Sequence, residues 1–254
     1  MNISGNTIFI PGATSGIGLA LALRFQERGN TVIIGGRRAA LLEQLKNEHG
    51  FDTVQVDTTD AARITAAAQD VIARHPDLNV LVAMAGIMRA EDWHRPEGFL
   101  ASAEETITTN LLGPIRLIGA FVEHLQTRQD ATIVTVSSGL AHTPLAFTPS
   151  YNATKAAIHM LSESIRLQLA DTSVKVLELV PPLVATELMP GQSDDPNALP
   201  LADFIDEVTE LIETQPEAHE ILVERVKFLR FGEVRGDYEQ VVATLNSGHR
   251  DLAD

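Results

Sequence analysis

The sequence predicts an α/β fold: one doubly wound parallel sheet of about seven strands with helices on both faces. Two observations predict it. Short apolar runs alternate with segments of helical periodicity along most of the chain. The first apolar run is followed at once by a glycine-rich turn that leads into the first helical segment.

The elements follow in order. Residues 7–10 read as a strand and 17–28 as a helix. The pairs 31–34 and 39–49, then 53–56 and 61–74, repeat that strand–helix unit. Residues 80–83 form a fourth strand candidate, followed by a helix over 111–126. A strand over 131–136, a helix over 153–170 and a strand over 174–180 continue the alternation. The strand candidates are nearly continuous in apolar residues, as parallel strands covered on both faces are. Right-handed crossovers then place helices on both sides. Residues 190–196, Pro-Gly-Gln-Ser-Asp-Asp-Pro, read as a loop, and 182–203 as the segment that covers a substrate. A helix over 202–214 and a last strand over 220–223 follow. From Gly236 the chain is polar and weakly patterned, which predicts a tail, part of it disordered, over 236–254. The whole, 1–254, reads as one Rossmann-like domain.

Composition narrows the function. The net charge of −15 argues against nucleic acid and against an anionic membrane surface, both of which are met by clustered Lys and Arg. With no cysteine there is no disulfide, thiolate nucleophile or Cys metal site, and no spaced set of other ligands predicts a metal. The absence of cysteine is compatible with a reducing cytoplasm, the expected location. The first residues lack a basic stretch followed by a long apolar core, so no signal peptide is expected.

Gly12, Gly16 and Gly18 sit between the first strand and the first helix. Glycine permits a tight turn there and lets the backbone approach a pyrophosphate, while the amides that open the helix at Ile17 point at the phosphates. The spacing is G-x3-G-x-G, and the other reading is an ordinary glycine-rich turn. The end of the second strand selects the nucleotide. It reads Gly35-Gly36-Arg37-Arg38, with no acid to bind ribose hydroxyls and two guanidiniums suited to a 2′-phosphate. NADP(H) is the expected cofactor, and Arg37 is the better candidate because Arg38 is free to point away.

Tyr151 and Lys155 are four residues apart and share a helical face. A free tyrosine has a pKa of about 10. A nearby ammonium is expected to lower it and make the phenol a working acid/base. Ser138, at the end of the 131–136 strand, would hydrogen-bond the same substrate oxygen.

At these residues the chain resembles the short-chain dehydrogenase/reductase family, from Thr7 to about Leu188. The glycines match its cofactor motif, Ala85-Gly86 the end of its N-N-A-G motif, and Ser138, Tyr151 and Lys155 its active-site residues. The resemblance implies that Asn110 supports a water and proton relay to the lysine, and that Lys155 also binds the nicotinamide ribose. It implies a cofactor site of Gly12, Thr14, Ser15, Gly16, Ile17, Gly18, Arg37, Arg38, Asp57, Thr58, Ala85, Gly86, Tyr151, Lys155, Pro181, Val184 and Thr186. Asp57 would lie near the adenine and Thr186 against the nicotinamide carboxamide. The stretches Ser137-Ser-Gly-Leu-Ala, Ala153-Thr-Lys-Ala-Ala and Val180-Pro-Pro-Leu-Val are similar to a bacterial branch of DltE-type oxidoreductases. Pro11, Ala83-Met84 and Pro182 depart from the family pattern and predict slightly altered cofactor affinity.

The function these features imply is hydride transfer between NADP(H) and a small ketone or secondary alcohol. A redox sensor that binds NADP(H) without turnover, and an enzyme like a sugar-nucleotide epimerase or dehydratase, are the alternatives. Leu140, His142, Leu183 and Met189 are candidates to touch substrate, and each is also an ordinary core or core-edge residue. The apolar surface of 111–126 and 153–170 exceeds what one sheet face covers, which predicts a homodimer or homotetramer.

Overall fold

The computed structural model of the protein describes residues 1–247. Its centre is a sheet of seven strands in the order β3-β2-β1-β4-β5-β6-β7. The strands are β1 Thr7–Pro11, β2 Thr31–Gly36, β3 Asp52–Gln55, β4 Val80–Ala83, β5 Ala131–Val136, β6 Val174–Leu179 and β7 Glu220–Ile221. Every pairing is parallel. The helices are α1 Gly16–Glu27, α2 Ala39–His49, α3 Ala61–Arg74, α4 Leu100–Ile107, α5 Gly113–Gln126, α6 Pro149–Gln168 and α7 Leu201–Thr214, then three short ones: α8 Lys227–Arg230, α9 Gly232–Arg235 and α10 Tyr238–Leu245.

Alternation along each strand divides the core in two. Ile8 and Ile10 of β1 face one layer, with Val32, Ile34, Val80, Val82, Leu177 and Leu179, under α1, α2 and α7. Phe9 faces the other, with Ile33, Leu81 and Ile133, under α3 and α5. The Phe9 and Phe121 rings lie 5.4 Å apart in that second layer, and neither has any exposed surface. Fully burying a side chain of this size stabilises by about 1.5–3 kcal/mol. The caps are local. Asp60 accepts hydrogen bonds from the amides of Ala62 and Arg63 to start α3, and Gly50, at φ 74°, ends α2 in the left-handed conformation.

Three features differ from the sequence expectation. Helical structure begins at Leu100 rather than 111, because α4 and α5 are joined by a π-helical turn over Thr108–Leu112. The signal was weak because Leu100, Ile107, Leu112 and Ile115 are exposed and only Ala103 and Thr106 of α4 are buried, so no apolar stripe faces this chain's core. Helix α6 begins at Pro149, so Tyr151 already lies inside it. The polar ending contains α10, which buries Val241 against Gly232. Asn246 beyond it accepts from the Ala146 amide at 2.8 Å and donates to the Pro144 carbonyl at 3.1 Å. The rest of the expected tail, 248–254, lies outside the described residues.

Strands β1 and β4 are neighbours although β2 and β3 follow β1 in sequence. The crossovers therefore leave in opposite directions there, and the carboxyl ends of β1 and β4 open a crevice where such sheets bind ligands.

Candidate active site

The crevice is a groove of about 770 Å³. The glycine turn forms one wall. Gly12 and Gly16 have φ of 92° and 56°, which side chains rarely adopt. Gly18 is required for a different reason: a Cβ there would lie 2.8 Å from the Gly12 carbonyl oxygen and 3.0 Å from Ala13 Cα. Close approach of α1 to the turn brings the helix N-terminus to the groove floor. Pro11 is tolerated because it is the last residue of β1, and the Gly12 amide makes the next ladder bond, to the Gly35 carbonyl at 2.8 Å.

At the end of β2, a Cβ on Gly36 would meet Thr14 Cγ2 at 2.6 Å, so this strand end packs directly on the glycine turn. Arg37 and Arg38 follow it onto the groove wall. Arg38 does not point away: its Nη2 donates to Thr14 Oγ1 at 3.1 Å. Gln55 Nε2 donates to the Arg37 carbonyl at 3.0 Å and fixes the backbone beneath that guanidinium. Burial pushes the Asp57 carboxyl up, but two hydrogen bonds from Thr59 and the charges of Arg37 and Arg63 outweigh it and hold it below its ordinary value.

All the expected cofactor residues line this groove: Gly12, Thr14, Ser15, Gly16, Ile17, Gly18, Arg37, Arg38, Asp57, Thr58, Ala85, Gly86, Tyr151, Lys155, Pro181, Val184 and Thr186. Backbone amides at a helix N-terminus, hydroxyls and two guanidiniums make a donor set that fits a dinucleotide phosphate chain. Sequence reasoning did not find Gln192, whose Nε2 donates to the Val184 carbonyl at 2.8 Å and lies 3.3 Å from Thr186 Oγ1. It ties the 182–203 segment to the groove wall, and a lone glutamine in a loop carries no signal of that.

Ser138 and Tyr151 line both the groove and a second cavity of about 320 Å³, so they stand where the two meet. Lys155 Nζ donates to the Val136 carbonyl at 2.8 Å and lies 5.5 Å from the Tyr151 ring centroid. The expected lowering of the phenol is corrected by the structure. Burial pushes Tyr151 up to about 12, and the Ser138 hydroxyl offsets only part of this. Burial pushes Lys155 down to about 8, opposed by the Glu178 carboxylate. Desolvation of two buried groups outweighs the attraction the spacing suggested, because the ammonium is aimed at a carbonyl.

Asn110 sits in the π-helical turn and is buried. Its side chain accepts from the Ile87 amide and donates to the Ile87 carbonyl, both at 2.8 Å, and so holds the loop after β4. It is not on the groove wall. A Cβ on Gly86 would find Asn110 Oδ1 at 3.4 Å and Lys155 Nζ at 3.8 Å, so glycine here lets the two flank one point.

Of the substrate candidates, Leu140, Leu183 and Met189 line the second cavity. His142 does not, and that expectation is corrected. Its ring packs edge-on against His159, with centroids 4.6 Å apart. Burial, Arg230 and His159 push it down to about 4. The second cavity also takes Leu229 and Leu245 from the C-terminal helical region, which the polar composition of that region concealed.

A family model described as short chain dehydrogenase matches residues 6–197. The chain is 39% identical over 251 residues to the uncharacterized oxidoreductase DltE of Bacillus subtilis (strain 168), covering 97% of this chain and 99% of that one. The chain belongs to the short-chain dehydrogenase family. It is also 33% identical to an NADP-dependent 3-hydroxy acid dehydrogenase of Salmonella typhi, over 70% of this chain and 72% of that one. Among solved structures, a short chain dehydrogenase from Burkholderia cenocepacia in complex with NADP superimposes with a TM-score of 0.81 at 26% identity, covering 96% and 99% of the two chains. As a member of this family the protein is an oxidoreductase of the CH–OH/C=O class that uses a nicotinamide cofactor and a small-molecule substrate. No helix among the described residues is long and apolar enough to cross a membrane.

Proposed function

We propose that the protein is an NADPH-dependent carbonyl reductase that interconverts a small ketone and its secondary alcohol. The carrying observation is that Ser138 and Tyr151 stand at the junction of a dinucleotide-sized groove and a smaller cavity. The nicotinamide supplies or accepts the hydride. Tyr151 holds the proton for the substrate oxygen, and Ser138 fixes that oxygen by a second hydrogen bond. Lys155 places a positive charge beside the phenol and donates to a nicotinamide ribose, and Asn110 supports a water and proton relay to it. Asp57 and Thr58 border the adenine and Thr186 the carboxamide, while the 182–203 segment covers the substrate.

The second cavity indicates a neutral, largely apolar substrate. Its walls are mostly Leu, Met, Phe and Pro, and among the described residues the only charged side chain on them is Asp195. A carboxylate buried there would meet no cation and would face an anion. With NADPH absorbance as readout, a β-keto methyl ester should be reduced with kcat/KM at least about tenfold above its free acid. A preference for the acid would refute the neutral-substrate reading. Tight NADPH binding with no turnover on any ketone would favour the redox sensor.

A homodimer or homotetramer completes the reading. Ile107, Leu112 and Ile115 on the α4–α5 unit and Met160 and Leu167 on α6 are exposed, Leu167 by 79%. Apolar faces on long helices are covered economically across a two-fold axis. Sedimentation at micromolar concentration should show a species larger than the 27.5 kDa chain, and only the monomer would refute it.

A further inference from the structure

Next to Lys155 lies a group of polar side chains to which the proposed reaction gives no role. Tyr151, Lys155 and His159 recur every four residues and share one face of α6. Glu178, on the neighbouring β6, is fully buried. Its carboxylate accepts from Ser137 Oγ and faces His159 Nδ1 at 2.9 and 3.1 Å. The sheet register links this carboxylate to the active site. Thr135 is opposite Glu178, and Val136, whose carbonyl accepts from Lys155, is opposite Leu179. The carboxylate and the ammonium are thus anchored on consecutive positions of the same strand pair. Further out, the His142 ring meets His159, Glu163 lies 4.0 Å from His159 Nε2, and Glu220 is held by Arg230 at 2.8 and 3.0 Å.

A carboxylate without water is costly unless its oxygens are bonded. Two groups bond this one, and neither has another task in the reading above. We propose that Glu178 is a positioning residue for the reaction: its buried negative charge keeps Lys155 an ammonium beside Tyr151, while Ser137 and His159 hold the carboxylate in place. This rests on the reading of Lys155 given above. The charge acts through space at low local dielectric, where a single opposite charge changes a neighbour's proton affinity strongly. Burial lowers Lys155, and Glu178 opposes that shift. His159 is raised by its hydrogen bond to Glu178, as a group that stabilises the carboxylate should be.

The same side chains suggest one rival role. Ligand atoms of His142, His159, Glu178 and Glu220 all lie within 4.8 Å of one another, as a cation site requires. Both carboxylates are engaged, however, and the Arg230 guanidinium brings its own positive charge. A bound metal is therefore an outcome of the test rather than the proposal.

The chain has four lysines, so protein labelled with 13C-lysine gives few Cε signals, and Lys155→Arg assigns the one of interest. Its titration is read without turnover. Glu178→Gln keeps the shape and removes the charge, so the Lys155 midpoint should fall by about one pH unit or more. Glu178→Asp keeps the charge and shortens the arm, so the midpoint should stay near wild type. A merely structural role predicts the reverse order, with the shorter acid disturbing more than the isosteric amide. Should Glu178→Gln fail to fold, adding His159→Gln restores an amide–amide bond and reads the same loss of charge. The proposal is overturned if the midpoint is unmoved when the charge is removed, if Glu178→Asp moves it as far, or if the purified protein carries a stoichiometric metal. Tyr151→Phe assayed in parallel separates the two readings: retained turnover there would remove the catalytic role of the tyrosine while leaving the Lys155 titration as it stands.

Discussion

Tyr151→Phe is expected to lose nearly all turnover and to bind NADPH as before. The substitution deletes one hydroxyl and leaves the ring, which is buried in α6 next to Lys155. Positioned proton transfer contributes on the order of 10²–10⁴ in rate, and that is the loss to look for. The direction of pH dependence follows from the two shifts. The phenol, pushed up to about 12, keeps its proton through the neutral range and is set to donate. Lys155, pushed down to about 8, is charged below that value and loses its proton above it. Ketone reduction should therefore be sustained at neutral pH and decline as pH rises through about 8. Alcohol oxidation needs a proton acceptor and should strengthen as pH rises. Because the two groups are buried side by side, the limbs belong to the pair rather than to either residue. If Tyr151→Phe kept near wild-type reduction, the proton-transfer reading would fail and a cofactor-binding sensor would explain the groove better.

What was legible in the sequence was whatever local spacing determines. The glycine turn, the end of β2 and the Tyr151–Lys155 pair each depend on a few consecutive residues, and each lies on the groove wall. Strands β4 and β5 were most legible because every residue in them is buried and apolar residues dominate. The edge strand β3, Asp52-Thr-Val-Gln55, buries only Val54 and was legible mainly from its place in the alternation. What was not legible depends on contacts between distant segments. The large apolar side chains of α4, Leu100 and Ile107, are exposed and only the small Ala103 and Thr106 are buried, so periodicity did not reveal the helix. The order of proton affinities at Tyr151 and Lys155 is set by how deeply both are buried, which a four-residue spacing does not encode. His142 is two residues beyond Leu140, which lines the second cavity, yet it turns to His159 because it follows a one-turn 3-10 helix over Gly139–Ala141. Leu229 and Leu245 reach the cavity from a region whose composition reads as a solvated tail.

Cofactor choice gives the second large effect, and here the geometry sharpens the expectation. Arg37 and Arg38 both stand on the groove wall, with their backbone held from two sides. Arg38 is already tied to Thr14, while Asp57 places a carboxylate within electrostatic reach of Arg37. An adenosine 2′-phosphate arriving at this corner needs cationic partners, since Asp57 alone would repel it. A charge-assisted hydrogen bond to such a group is worth about 1.5–3 kcal/mol, roughly ten- to hundredfold in affinity. Arg37→Asp removes that bond and adds a second carboxylate near Asp57, so NADPH affinity should fall by at least that factor. NADH carries no phosphate there, and its ribose hydroxyls can donate to the new carboxylate, so its affinity should hold or rise. Arg38→Ala should cost less, because its Thr14 bond already engages part of the guanidinium. Fluorescence titration of both cofactors against wild type and the two variants reads this directly. Wild-type protein that bound NADPH and NADH equally would reject the phosphate-binding role of this corner, whatever the variants did.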